Sequence, residues 1–182
     1  ANSVREEFTD KLVKRMSEFT VGNGLDEGST LGPLINAKQV RTVEDLVSDA
    51  VARGATVAVG GVAPGGAGHF YPATVLADVP ADARILKEEV FGPVAPITGF
   101  DSEDEGIKAA NDTDYGLASY IYTQSLDRAL RVAESIESGM VPDTVQLIVE
   151  VAGLCSSAPA LDVMRPAGMA PRRSAQRKRS NQ

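Results

Sequence analysis

The chain has 182 residues, enough for one core, and its 43% hydrophobic and 24% charged residues are an ordinary globular balance that excludes wholesale disorder and fibrous classes. No apolar run approaches the roughly 20 residues that span a bilayer, and Ala1-Asn2-Ser3-Val4-Arg5-Glu6-Glu7 lacks the basic start and apolar core of a signal peptide, so no membrane partner and a cytoplasmic location are expected. The net charge of -7 divides unevenly: residues 1–141 carry 12 Lys/Arg against 22 Asp/Glu, a net of -10, and residues 142–182 carry 6 against 3, a net of +3.

From Val4 to Phe19, apolar residues recur at Phe8, Leu12, Val13, Met16 and Phe19, the spacing of an amphipathic helix that stops before Gly22. Asp26 to Pro33 is rich in Gly, Ser and Thr and reads as an extended loop. Asn36 then caps a second helix through Val40, Val43, Leu46, Val47, Ala50 and Val51, ended by Gly54. Ala55 to Val59 is a short strand closed by Gly60-Gly61, and the glycine-rich stretch to Gly68 is an exposed turn leading into the extended run from Phe70 to Leu76.

Beyond Pro80, a short helix is expected over Ala81–Glu89 and a strand over Val94–Phe100. Asp101 or Ser102 caps a helix with Ile107, Ala109 and Ala110 on its apolar side. Leu117 to Tyr122 reads as a strand, and Leu126, Leu130, Val132, Ala133 and Ile136 mark a last helix ended by Gly139. Strands alternating with helices of this length predict an α/β fold, with a mostly parallel sheet covered by helices on both faces. After Val141 the rhythm fails. Residues 145–154 are apolar enough for a strand, but Pro159, Pro166, Pro171 and the basic end predict a poorly structured tail.

Several local features invite chemistry and have plainer readings. Gly60-Gly61 and Gly65-Gly66 lead toward another extended segment instead of opening a helix after a strand, so a plain turn is preferred to a phosphate loop. Cys155 is the only cysteine and His69 the only histidine, far apart in sequence and without an activating environment; an incidental thiol and a loop histidine are expected, and no metal site. An acidic body repels a phosphate backbone, which confines nucleic-acid binding to the basic end, where a solvated cluster is the simpler explanation; no nucleic-acid partner is expected. Lys87-Glu88-Glu89-Val90-Phe91-Gly92-Pro93 combines acids with an aromatic beside Gly and Pro, a pattern able to offer a carboxylate to a sugar diol and a ring face to a flat ligand. On physical grounds alone, a helix end packing Phe91 into the core is the preferred reading.

Glu88-Glu89-Val90-Phe91-Gly92-Pro93-Val94 nevertheless resembles the signature of the aldehyde dehydrogenase superfamily, and its neighbours stand in that family's order. Upstream lie Val21-Gly22-Asn23-Gly24, Gly32-Pro33-Leu34-Ile35, Gly54-Ala55, Gly60-Gly61 and Tyr71-Pro72-Ala73-Thr74-Val75-Leu76; downstream lie residues 110–118 and Ser138-Gly139-Met140-Val141. The resemblance covers residues 1–141, a partial catalytic domain, and within the superfamily is to the succinate-semialdehyde dehydrogenase group. It implies oxidation of a small-molecule aldehyde to the acid through a covalent thiohemiacetal, with NAD or NADP as acceptor. It also implies that Glu89 holds the nicotinamide ribose hydroxyls and that Phe91 packs beside the nicotinamide.

In the family, the nucleophilic cysteine, the general-base glutamate, the oxyanion asparagine and the dinucleotide-binding domain precede the point that matches Ala1, so no catalytic residue is assigned and the chain alone is expected to be inactive. Residues 142–182 match nothing in the family. Their abrupt change of composition is what a shifted reading frame would produce, an idea that fails if neither other frame of the coding DNA contains the family's next loop. Two readings stay open: a segment of an aldehyde dehydrogenase, working as a homo-oligomer or with the missing half, or a non-catalytic truncated relative acting as a binding module.

Overall fold

The first helix forms as α1 (Asn2–Ser17), two residues earlier than the periodicity suggests, and no residue of it is buried. Lys14 and Arg15 in its last turn suit the negative end of the helix dipole. It is pinned at its start, where Asn2 N donates to Phe100 O (2.9 Å) and Arg5 pairs with Asp78 (3.1 Å). This computed structural model describes residues 1–141; the expectations for 142–182, including Cys155 and the basic cluster, lie outside the described residues.

The second helix, α2 (Ala37–Ala52), is capped by the Asn36 side chain, which accepts from Gln39 N at 2.9 Å. Val43, Leu46, Val47 and Ala50 fall on one face and are all buried. Gly54, at φ +115°, carries the chain out of the helix in a conformation that glycine adopts without strain. Two strands follow, β1 (Thr56–Val59) and β2 (Thr74–Ala77), and after a 3-10 turn at Arg84–Leu86 comes β3 (Val94–Pro96).

The sheet order is β1-β2-β3. β2 pairs in parallel with β3, Thr74 beside Val94 and Leu76 beside Pro96, whereas β1 runs antiparallel to β2 with an irregularity between Val57 and Val59. The α/β class therefore stands, with a small mixed sheet. The central strand is the buried one: Thr74, Val75 and Leu76 are each fully covered. Tyr71, Leu76, Val79, Ala83 and Ile85 join the buried face of α2 in one core cluster.

Gly60 and Gly61 serve this core. A side chain at Gly60, where φ is +74°, would meet Thr74 Oγ1 at 2.5 Å. Gly61 N donates to Thr74 Oγ1 (2.9 Å), Thr74 Oγ1 donates to Pro72 O (2.9 Å), and Tyr71 Oη donates to Gly61 O (3.1 Å). The pair closes a turn by satisfying buried polar groups, in line with the plain-turn reading.

Three elements differ from expectation. The helix expected over 81–89 shrinks to one 3-10 turn, because Arg84 N is held by the Asp49 carboxylate of α2 (3.0 Å) instead of by a helical carbonyl. β3 is shorter than the expected 94–100: it ends at Pro96, and one further residue still bonds to the β2 side, Ile97 N donating to Leu76 O (2.8 Å) and Ile97 O accepting from Val79 N (3.0 Å). Residues 117–122 form no strand among the described residues; Ala118 makes only an isolated parallel bridge to Met140.

Helix α3 (Glu103–Asn111) opens with a capping box in which Ser102 Oγ accepts from Glu105 N (3.2 Å) and Glu105 reaches back to Ser102 N (3.4 Å), which selects Ser102 over Asp101 as the cap. None of its residues is buried. Residues 1–115 make one compact unit, and residues 116–141 belong to a second. The described part of the second unit holds α4 (Leu126–Ser135), capped by Ser125, with Ala129 and Ile136 buried. Among the described residues no helix is long and apolar enough to cross a membrane.

Candidate functional site

The segment from Asp82 to Pro93 joins the core to β3, and α2 organises it at successive points along its length. Near the end of the helix, Asp49 accepts from Arg84 N (3.0 Å) and from Arg53 Nε (3.0 Å), while Arg53 Nη1 also reaches Asp82 (2.6 Å). The Arg84 amide above all, then the Arg53 guanidinium, hold the Asp49 carboxyl below its ordinary range against the opposing effect of burial. At the start of the helix, Gln39 Nε2 donates to Val90 O (2.9 Å) and lies 3.4 Å from Phe91 O. One turn on, Val43 faces Gly92 so closely that a β-carbon there would meet Val43 Cγ2 at 2.7 Å.

The two adjacent acids of the motif end in opposite circumstances. Glu88 is bound by Arg84 through Nε (2.7 Å) and Nη2 (3.1 Å), a two-point pair whose hydrogen bond lowers the Glu88 pKa. Glu89 is exposed and makes no hydrogen bond or ion pair among the described residues. Lys87, on the other side, donates to Asp112 O at 3.0 Å and pairs with the Asp112 carboxylate, tying the turn to the segment Asn111-Asp112-Thr113-Asp114.

Phe91 overturns the plainer reading of this turn. The residue is 71% exposed, so it is not a core residue, and its backbone sits at φ +44°, a left-handed conformation that costs a residue with a side chain about 1–2 kcal/mol. Strain at an uncovered aromatic is the kind that persists where surrounding contacts impose it. Those contacts are the Gln39 amide, the Gly92–Val43 approach and the bond from Thr74 N to Pro93 O (2.8 Å), which fixes the exit into β3.

The arrangement therefore offers two unclaimed carboxylate oxygens and, two residues on, an uncovered ring. A carboxylate accepts both protons of a vicinal diol, and a ring face receives a planar heterocycle, so Glu89 and Phe91 fit a nucleotide sugar that carries a flat base. Among the other residues singled out from sequence, His69 lies in an exposed loop, where its carbonyl accepts from Leu34 N (2.7 Å). Sequence reasoning missed Gln39 and Arg84, and gave Lys87 no role of its own. Gln39 reads as an ordinary first-turn helix residue, and nothing local to it signals carbonyls 51 and 52 positions away.

The turn that leads into β3, an edge strand of this sheet, thus carries an exposed carboxylate and, two residues on, an exposed aromatic. The pattern of the Aldehyde dehydrogenase family matches residues 1–148, and the chain belongs to that family; the match runs past residue 141, where the sequence reading ended the resemblance, so residues 142–148 are corrected to matching. It is 50% identical over 139 residues to a succinate-semialdehyde dehydrogenase of Paenarthrobacter nicotinovorans, covering 76% of this chain and 31% of that protein. It is 46% identical over 140 residues to the NADP-dependent succinate-semialdehyde dehydrogenase of Escherichia coli, covering 77% and 29%. The crystal structure of succinate-semialdehyde dehydrogenase from Burkholderia pseudomallei superposes with a TM-score of 0.74 at 46% identity, over 76% of this chain and 29% of that one. The chain thus spans less than a third of the length of the relatives it matches.

Proposed function

We propose that this chain is the segment of an NAD(P)-dependent aldehyde dehydrogenase that orients the nicotinamide end of the cofactor, with Glu89 accepting from the ribose hydroxyls and Phe91 lying beside the ring. The observation that carries the reading is the split between the two acids: Arg84 occupies Glu88, and Glu89 is left free beside an exposed, strained Phe91. The bound nicotinamide would supply the hydride acceptor. The segment's own work is to hold the diol and the ring plane, since hydride transfer requires the ring close to the reacting carbon and correctly tilted.

The reaction is oxidation of an aldehyde to its acid, with water supplying the added oxygen and NAD(P) taking the hydride. The names of the relatives favour succinate semialdehyde as the aldehyde. A cytoplasmic location and assembly with the remainder of the enzyme belong to the same reading. The 182-residue chain by itself is expected to give no aldehyde-dependent NAD(P)H, and turnover that Cys155→Ala abolishes would contradict this.

The direct test places residues 1–141 in the E. coli enzyme in place of its matching stretch and follows single-turnover NADPH appearance. Glu89→Gln should slow hydride transfer by roughly 100-fold, the effect of a misplacement of about 1 Å, with cofactor affinity changed far less. Glu88→Gln should be much milder. A slower Glu88→Gln, or a Glu89→Gln that loses only thermal stability, returns the turn to a purely structural role.

A further inference from the structure

We infer that Gln39 is a positioning residue for hydride transfer, acting through the backbone of Phe91; the inference rests on the reading of Glu89 and Phe91 as the cofactor-facing pair. Gln39 stands in the first turn of α2, where its own amide is held by the Asn36 cap (2.9 Å), so its side chain projects from a fixed point. Its Nε2 donates to Val90 O at 2.9 Å and reaches Phe91 O at 3.4 Å. In an extended chain successive carbonyls point to opposite sides, and no single donor serves both. The left-handed turn at Phe91, φ +44°, brings the two to one side, and the Gln39 amide occupies the place where they converge.

The consequence is directional. Without that donor, the carbonyls of residues 90 and 91 lose the partner that favours the left-handed form, and Phe91 has every steric reason to return to negative φ. Such a change swings the Phe91 ring and, two residues back, the Glu89 carboxylate. Val43 lies one helical turn further along the same face of α2 and leaves Gly92 no room to compensate. Gln39 itself need touch no ligand: its effect on transfer runs through the orientation of Glu89 and Phe91.

Two measurements test this. In the 182-residue chain, Gln39→Met keeps length and helix propensity but removes the donor; the NMR resonances of the Phe91 amide and ring should shift, while those of Leu46 and Val75 in the core stay in place. In the full-length enzyme carrying residues 1–141, Gln39→Met and Gln39→Glu should each slow single-turnover hydride transfer by about 10-fold or more, with the KM for the cofactor within about threefold, since a misplacement well under 1 Å suffices for such a loss. Gln39→Lys restores an N–H donor and should recover most of the rate. Unmoved Phe91 resonances in Gln39→Met, an undiminished transfer rate, or a rate that Gln39→Lys does not rescue would each overturn the inference. If Glu89→Gln transfers hydride normally, the cofactor reading itself fails; if Glu89→Gln is slow and Gln39→Met is not, only the role of Gln39 fails.

Discussion

Arg84 grips Glu88 at two points, Nε to Oε1 at 2.7 Å and Nη2 to Oε2 at 3.1 Å, and by doing so decides which acid of the Glu88-Glu89 pair remains available. The pair leaves a pH signature. Arg84 lowers the folded-state pKa of Glu88 below its unfolded value of about 4.3, so the stabilisation is complete above that pH and disappears as pH falls through the folded value. Thermal midpoints of wild type and Glu88→Gln should differ slightly near pH 7 and converge below about pH 4. A difference that persists into acid would mean the ion pair is not what Glu88 contributes. Because both side chains are about half exposed, the difference at neutral pH should also shrink in salt.

Gly92 and Val43 make a second pair whose coupling is measurable. A β-carbon at residue 92 would sit 2.7 Å from Val43 Cγ2, and Val43 is fully buried in the core and cannot retreat. Gly92→Ala should therefore destabilise by about 1–3 kcal/mol through overpacking. Val43→Ala, which empties two methyl groups from the core, should cost about 2 kcal/mol by itself. The double variant should cost less than the two singles together by about 1 kcal/mol or more, since the lost methyl makes room for the new one. Strict additivity in urea unfolding would show that the close approach does not constrain the turn.

These couplings explain which parts of the molecule were legible in the sequence. α2 was readable because everything that defines it is local: the Asn36 cap, the spacing of Val43, Leu46, Val47 and Ala50, and the terminal Gly54. The turn at 84–93 was not, because its conformation is imposed by Asp49, Gln39 and Val43 from a distant stretch of chain, and a polar segment ending in Phe91 looks locally like a helix end packed on a core. The motif's letters pointed to the cofactor only through resemblance; the exposure and strain of Phe91 are properties of the fold. Residues 117–122 have the composition of a strand, and among the described residues Ala118 pairs with Met140 as an isolated bridge.

Tyr71 offers a test of the core network at the other end of the pH scale. Burial first, and the charge of Glu44 second, push its phenol up to about 12. The unfolded chain ionises near 10, so the stability Tyr71 provides is intact below about pH 10 and declines as pH rises from there toward 12. Tyr71→Phe also removes the bond to Gly61 O (3.1 Å), a loss of about 0.5–1.5 kcal/mol at pH 8. Unfolding free energies measured from pH 8 to 12 should fall more steeply for wild type than for Tyr71→Phe. Parallel curves would place the phenol in contact with water.

Phe91 separates stability from function most cleanly, because the fold gains little from its side chain. With 71% of the residue exposed, truncation gives up little apolar burial. Phe91→Gly removes a left-handed strain of about 1–2 kcal/mol and adds a backbone-entropy cost of about 0.5–1 kcal/mol, so the variant should be as stable as wild type or slightly more so. Phe91→Leu keeps a side chain at φ +44° and retains the strain, so it should show no such gain. In the full-length enzyme both substitutions remove the flat ring, and both should slow single-turnover hydride transfer, the glycine variant more because the freed backbone also loosens Glu89. The decisive pattern is a thermal midpoint for Phe91→Gly at or above wild type together with slower transfer. If Phe91→Gly instead unfolds at markedly lower temperature, the ring is a packing residue; if its transfer rate equals wild type, the exposed ring has no part in placing the cofactor, whatever Glu89 does.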